Sequence, residues 1–148
     1  AHAATHRTMS ADDEIVVGYW NIRGLAAPLR AMVLFAGKPL TAPCYQTLAT
    51  GDASRKWNFS QWKAAKAKLK PTCPLINLPY VQIGDTIVTQ SNACFAFLGR
   101  RLGLWGRGEA EEIECEMYLC ESTSSVLGVA IRMSHPPSFS FDVCHVCH

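Results

Sequence analysis

The hydrophobic positions of this 148-residue chain change period several times, and each change marks an element. Ile15 to Trp20 is a β-branched and aromatic run, bounded by charge before and glycine after, so it reads as a buried strand. Ala27 to Ala36 carries an apolar helical face of Leu29, Met32, Val33 and Phe35; Pro28 suits its first turn, and Gly37 with Pro39 closes it. Leu40 to Leu48 is a weaker strand whose Pro43 predicts an edge position. Thr50 to Phe59 has the polar, Gly51-Asp52 chemistry of a loop. Ser60 can cap a short helix from Gln61 to Leu69, which Pro71 and Pro74 end. Tyr80–Ile83 and Thr86–Thr89 then alternate around Gly84-Asp85, the signature of a two-residue hairpin. Ser91 is a natural N-cap for a helix running to about Leu102, stopped by Gly103.

The resulting order, βαβ followed by αββα, predicts an α/β layer around a mixed four-stranded sheet. The thioredoxin-like fold has this order, although the order alone does not single it out. Within the last helix Ala93, Cys94, Phe95, Ala96, Phe97 and Leu98 are apolar in succession, which predicts burial on both sides. Gly103 to Gly108 reads as a linker with an exposed Trp105. A helix follows from Glu109 to about Ser122, with Ile113, Met117 and Cys120 at helical spacing and acidic residues at its start. Ser122 to Ser125 weakens it, Val126 to Met133 could resume it, and Ser134 to Phe141 cannot continue regular structure.

Composition narrows the class. A hydrophobic content of 49% and a charged content of 18% are globular values. A net charge of +2 gives no electrostatic case for nucleic acid or a membrane surface, and no apolar stretch reaches the roughly 18 residues of a membrane span. Lys63, Lys66, Lys68 and Lys70 read as the solvated face of a helix. The seven cysteines are odd in number and five of them are scattered without a framework pattern, which points to a reducing compartment rather than a disulfide-stapled domain, and the cytoplasm is the compartment expected. The first ten residues contain His2, His6 and Arg7 and no acid; they resemble the remainder of a processed organellar presequence, or a ragged terminus.

Five strings, in one order, carry a resemblance: Gly18-Tyr19-Trp20-Asn21-Ile22-Arg23-Gly24-Leu25, Thr50-Gly51-Asp52-Ala53, Ser60-Gln61-Trp62, Asn77-Leu78-Pro79-Tyr80 and Thr89-Gln90-Ser91-Asn92-Ala93. From Ile15 to about Glu121 the chain resembles the N-terminal half of a glutathione transferase of the mu class. That resemblance implies a thioredoxin-like domain at 15–102 after an N-terminal extension at 1–14. It further implies a linker with part of an all-helical domain at 103–133, and an irregular tail at 134–148. It implies glutathione as co-substrate with no other cofactor, a small electrophile as second substrate, and a homodimer.

By the same resemblance Tyr19 is the catalytic residue, its hydroxyl donating to the glutathione sulfur. A fixed donor in a partly dry site lowers a thiol's pKa, and the thiolate is the reactive form. The alternative is a strand-end tyrosine packed for its ring. Pro79 is implied to be a cis proline that leaves the Leu78 backbone open to pair with the cysteinyl part of glutathione; a trans proline opening a strand is the alternative. Gln90 and Ser91 are implied to hold the γ-glutamyl carboxylate at a helix N-terminus, where free N–H groups and the dipole favour an anion. Trp62 and Lys66 are implied to meet the glycyl end, with Trp20, Leu25 and Asn77 completing the set; Trp62 could equally be a packing residue.

The chain also departs from the family pattern. Ser124 aligns with an acidic residue that reaches the partner subunit's glutathione, Phe59 stands where an arginine is usual, and Trp62 to Asn77 is about two residues longer. Most of the helical domain that walls the electrophile site is missing. A second reading is therefore a non-catalytic thioredoxin-fold subunit of a larger assembly. Cys144-His145-Val146-Cys147-His148 matches the C-x-x-C-H pattern of haem attachment and has ligand types that suit zinc. Its terminal position after a Pro/Ser/Phe stretch favours an inert tail.

Overall fold

The structure, a computed structural model, describes residues 13–52 and 55–134. The chain divides into two compact units between Trp105 and Gly106. The first 12 residues and the Cys144–His148 pattern lie outside the described residues.

The first unit is built on β1 (Ile15–Trp20), which pairs on both sides. On one edge it runs parallel to β2 (Leu40–Thr41) and β3 (Cys44–Tyr45); on the other it is antiparallel to β6 (Tyr80–Ile83), which is antiparallel to β7 (Thr86–Thr89). Because side chains alternate along a strand, Ile15, Val17 and Tyr19 enter one layer with α1 (Ala26–Phe35) and α3 (Ser91–Leu102). Val16 and Trp20 enter the opposite layer with α2 (Ser60–Leu69). The first layer holds Leu29, Val33, Val81 and Leu98 at 0% exposure. Each such side chain contributes roughly 1.5–3 kcal/mol by leaving water. That layer carries most of the fold; the second is a smaller aromatic cluster around Trp62, Ile76 and Tyr80.

Several local expectations are corrected. The strand at 40–48 is broken by Ala42-Pro43 into β2 and β3, since proline has no N–H to give the ladder. The stretch read as a loop, 50–59, lies mostly in an antiparallel hairpin of β4 (Leu48–Asp52) and β5 (Arg55–Asn58), whose register shifts between Ala49 and Asp52. Ser60 does not cap α2: it is the first helical residue, and its own N–H donates to Asn58 Oδ1 at 2.8 Å. Ser91 likewise opens α3 without capping it; Gln90 holds the N-cap position. In α3 the buried positions are Cys94, Leu98 and Gly99; Phe95 and Phe97 are half-buried against the same core and Ala93 is exposed. Trp105 is half-buried rather than exposed, its ring so close to Gly99 that a Cβ there would lie 2.7 Å from Cε3.

The second unit contains α4 (Glu109–Ser134), one continuous helix where a break near Ser122 was expected. Ser122 Oγ donates to the Tyr118 carbonyl at 2.7 Å, a back-bond that lets a serine sit inside a helix. Glu109, Glu111 and Glu112 occupy its first turn, and Glu111 accepts the Arg107 N–H at 2.7 Å. Ser124 falls within this helix. Among the described residues no helix is long and apolar enough to cross a membrane.

Candidate functional site

Strand register brings the sequence-predicted residues to one end of the sheet. Gly18 pairs with Tyr80 and Tyr80 with Thr89, in antiparallel ladders. The exit of β1 (Tyr19), the start of β6 (Asn77-Leu78-Pro79) and the exit of β7 with the start of α3 (Gln90-Ser91) are therefore neighbours.

Tyr19 is 8% exposed, anchored by its N–H to the Pro43 carbonyl at 3.1 Å, with its ring in the α1/α3 layer. Among the described residues its hydroxyl has no hydrogen-bond partner. Gly24, at φ +37°, lies against that ring: a Cβ there would come within 2.7 Å of Tyr19 Cε1 and 3.1 Å of the hydroxyl oxygen. The glycine thus does two things, adopting a left-handed backbone and leaving room for the phenol. Leu25, the N-cap of α1, is half-buried against the same layer.

The Leu78–Pro79 peptide is cis, and Pro79 is fully buried. A single hydroxyl braces this corner. Thr89 Oγ1 accepts the Asn77 N–H at 3.0 Å and faces the Asn77 carbonyl at 2.8 Å and the Pro79 carbonyl at 3.3 Å. Leu78, half-buried between them, makes no backbone hydrogen bond among the described residues. Next to it α3 begins with no side-chain cap, and Gln90 stands at φ 74° with its carbonyl accepting the Cys94 N–H at 2.9 Å. A left-handed non-glycine residue costs on the order of 1–3 kcal/mol and concentrates at ligand sites.

The remaining predicted residues lie on the opposite face. Trp20 meets Phe59 at 5.4 Å and Trp62 edge-on at 6.3 Å between ring centroids. Trp62, 6% exposed, stacks on Tyr80 at 6.3 Å and touches Tyr45 at 5.2 Å. Lys66 Nζ sits 5.8 Å above the Trp62 ring. The Tyr45 and Tyr80 hydroxyls are 3.0 Å apart, and burial holds the Tyr80 phenol above its ordinary range. Packing is thus the main visible work of Trp62. Phe59 fills a hydrophobic contact against Trp20.

Sequence reading missed two contributors, Thr89 and Gly24. Both stood inside the quoted strings, yet only pairing across the sheet and the turn after β1 reveal what they touch. An open groove of about 520 Å³ runs along α1 past Asn21, Ile22, Arg23, Ala27 and Arg30, and is lined by none of the predicted residues. Cys94 is fully buried, its thiol pushed up to about 12 by burial. Cys44 is exposed, 3.6 Å from an Arg30 guanidinium nitrogen. Among the described residues no group of three or more His, Cys, Asp or Glu could hold a metal ion.

A mixed sheet flanked by helices on both faces, with a cis proline opening β6, defines a thioredoxin-like domain. A nematode glutathione transferase structure from C. elegans shares this fold, with a TM-score of 0.60 and 21% identity over 86% of this chain and 56% of that one. No protein-family model matches the chain. It is 37% identical over 103 residues to Glutathione S-transferase Mu 1 of Rattus norvegicus, covering 70% of this chain and 44% of the rat protein. It is 34% identical over 125 residues to Glutathione S-transferase Mu 4 of Mus musculus, covering 84% and 54%. The chain is thus similar to mu-class glutathione S-transferases over most of its own length, and spans about half the length of the curated relatives it matches.

Proposed function

We propose that this chain binds glutathione at the sheet end described above and stabilises its thiolate for attack on a small electrophile. The observation that carries this reading is a juxtaposition. The hydroxyl of a largely buried tyrosine, without a partner among the described residues, an open Leu78 backbone beside a cis proline, and an uncapped helix start are neighbours through strand register. Each matches one part of the tripeptide: thiol, cysteinyl backbone and γ-glutamyl carboxylate. The thiol proton leaves to solvent while Tyr19 donates to the sulfur, and the sulfur lone pair then forms the new S–C bond as the electrophile's leaving group or π bond takes up electrons. Gln90 and Ser91 hold the carboxylate with α3's first N–H groups. Asn77, Trp20, Leu25, Trp62 and Lys66 border the remainder of the ligand, with Lys66 supplying a cation for the glycyl carboxylate. Similarity to that family supports a homodimer, a detoxifying conjugation and a cytoplasmic setting.

Calorimetric titration with glutathione tests this reading, with Tyr19→Phe as the control. Saturable binding that releases protons in the wild type, with release lost in Y19F, is expected. A folded chain that takes up no glutathione would refute the proposal.

A further inference from the structure

We propose that Thr89 is a positioning residue for the glutathione site, its hydroxyl setting the Leu78 backbone at the angle a bound cysteinyl moiety requires; this rests on the glutathione reading above. β7 ends at Thr89, which pairs with Tyr80 as the final rung of the hairpin. Beyond that rung the opposite chain turns at Pro79 and can no longer continue the ladder. The Thr89 side chain takes over. One hydroxyl offers one donor and two acceptor positions, and three backbone atoms surround this one: the Asn77 N–H at 3.0 Å, the Asn77 carbonyl at 2.8 Å and the Pro79 carbonyl at 3.3 Å. The residues on both sides of Leu78, Asn77 and Pro79, are thereby held from within the fold by a side chain whose residue is only 9% exposed. Leu78 itself keeps its N–H and C=O turned away from any described partner.

An ordinary strand threonine packs its methyl and leaves its hydroxyl to solvent or to a local turn; valine would serve as well, as it does at the adjacent Val88. Here the hydroxyl reaches 12 residues back along the sequence, to Asn77. Because Asn77 is exposed, water can replace much of the lost hydrogen bonding on substitution, so the fold tolerates the change better than the ligand geometry does. A ligand that adds to Leu78 as an extra strand needs that peptide at a fixed orientation. A sulfur carried on such a ligand inherits any error and moves relative to the Tyr19 hydroxyl.

The test compares Thr89→Val with Thr89→Ser by titration with glutathione and by ultraviolet absorbance of the bound thiolate against pH at saturating ligand. T89V is expected to bind about tenfold more weakly, the equivalent of one net hydrogen bond. The pKa of its bound thiol is expected to rise, and T89S to restore both. A purely structural role would lower thermal stability and leave the bound thiol's pKa unmoved, so a T89V chain with wild-type affinity and wild-type thiol pKa overturns the inference. Should T89V not fold, amide hydrogen exchange on the wild type decides: Asn77 must be protected without ligand, and an unprotected Asn77 amide overturns the clamp. A wild-type chain with Asn77 protected but no glutathione binding overturns the glutathione reading, and this inference with it; T89V behaving as wild type while glutathione binds overturns this inference alone.

Discussion

Gly24→Ala, set against Gly37→Ala, separates the backbone role of a glycine from its role at the site. Both glycines have left-handed backbones, φ +37° and φ +63°, and both flank α1. A methyl group added at Gly37 would meet nothing within 4 Å, so alanine there costs only the left-handed conformation, about 1–2 kcal/mol. Gly24 adds a collision: the new Cβ would stand 2.7 Å from Tyr19 Cε1 and 3.1 Å from its hydroxyl oxygen. Ring atoms of a side chain 8% exposed have little room to retreat, and overpacking adds about 1–3 kcal/mol. G37A should therefore lower Tm by about 4–16 °C, and G24A by roughly twice that, taking about 4–8 °C per kcal/mol for a domain of this size. Thermal unfolding followed by circular dichroism reads the first effect. Glutathione titration with thiolate absorbance reads the second: G37A should bind as wild type, whereas G24A should hold its bound thiol at a raised pKa because the Tyr19 hydroxyl is displaced. Equal behaviour of the two variants in both assays would refute the reasoning.

Trp62→Ala should destabilise the fold by about 3–5 kcal/mol, since the ring is almost wholly buried among Trp20, Tyr45 and Tyr80. Trp62→Phe should recover most of that stability, and loss of glutathione affinity in a fully stable W62F would show that the indole serves the ligand more than the core. Alkylation of the native chain near neutral pH, mapped by mass spectrometry, should label exposed Cys44 and spare Cys94, which burial both hides and keeps protonated. With its thiol raised from an ordinary 9.0 to about 12 in the folded state, Cys94 contributes stability that is fully present below pH 9 and lost as pH rises from there toward 12. Cys94→Ala should flatten that part of the pH–stability curve relative to wild type, and an unchanged slope would count against burial as the cause.

The sheet and its three flanking helices were legible because burial imposed the periods. Ile15, Val17 and Tyr19 alternate with Val16 and Trp20 since β1 is covered on both faces, and Gly84-Asp85 could only be a turn. The hairpin of β4 and β5 was not legible: Gly51-Asp52, turn chemistry in sequence, lies at the end of a strand whose register shifts, and turn residues mislead wherever a bulge uses them. Serine misled at two helix starts for separate reasons. Asn58 took the Ser60 N–H from two residues upstream, and the left-handed Gln90 turned the chain before Ser91 could cap it. At the site, resemblance located Tyr19, Leu78 and Pro79 within their strings. The braces that hold them, Gly24 and Thr89, act through contacts that short motifs do not encode.

Those braces show why fold and candidate chemistry cannot be varied independently at this end of the sheet. β1 and β7 both run antiparallel to β6, so their last residues and the first residues of β6 meet by construction. A donor hydroxyl, an unpaired backbone and a helix N-terminus arrive together without any loop having to carry them there. The same construction makes register decisive. A one-residue slip of β1 would turn Tyr19 into the layer of α2 and bring Trp20 to the α1/α3 layer, because side chains alternate. Tyr80 guards against that slip: its ring lies over Gly18, where a Cβ would come within 2.2 Å of Cε1. Only a glycine fits beneath the ring, so the Gly18–Tyr80 pair locks β1 one residue before Tyr19. The aromatic cluster on the α2 face, which looks like packing alone, therefore also fixes which side of the sheet the tyrosine hydroxyl faces.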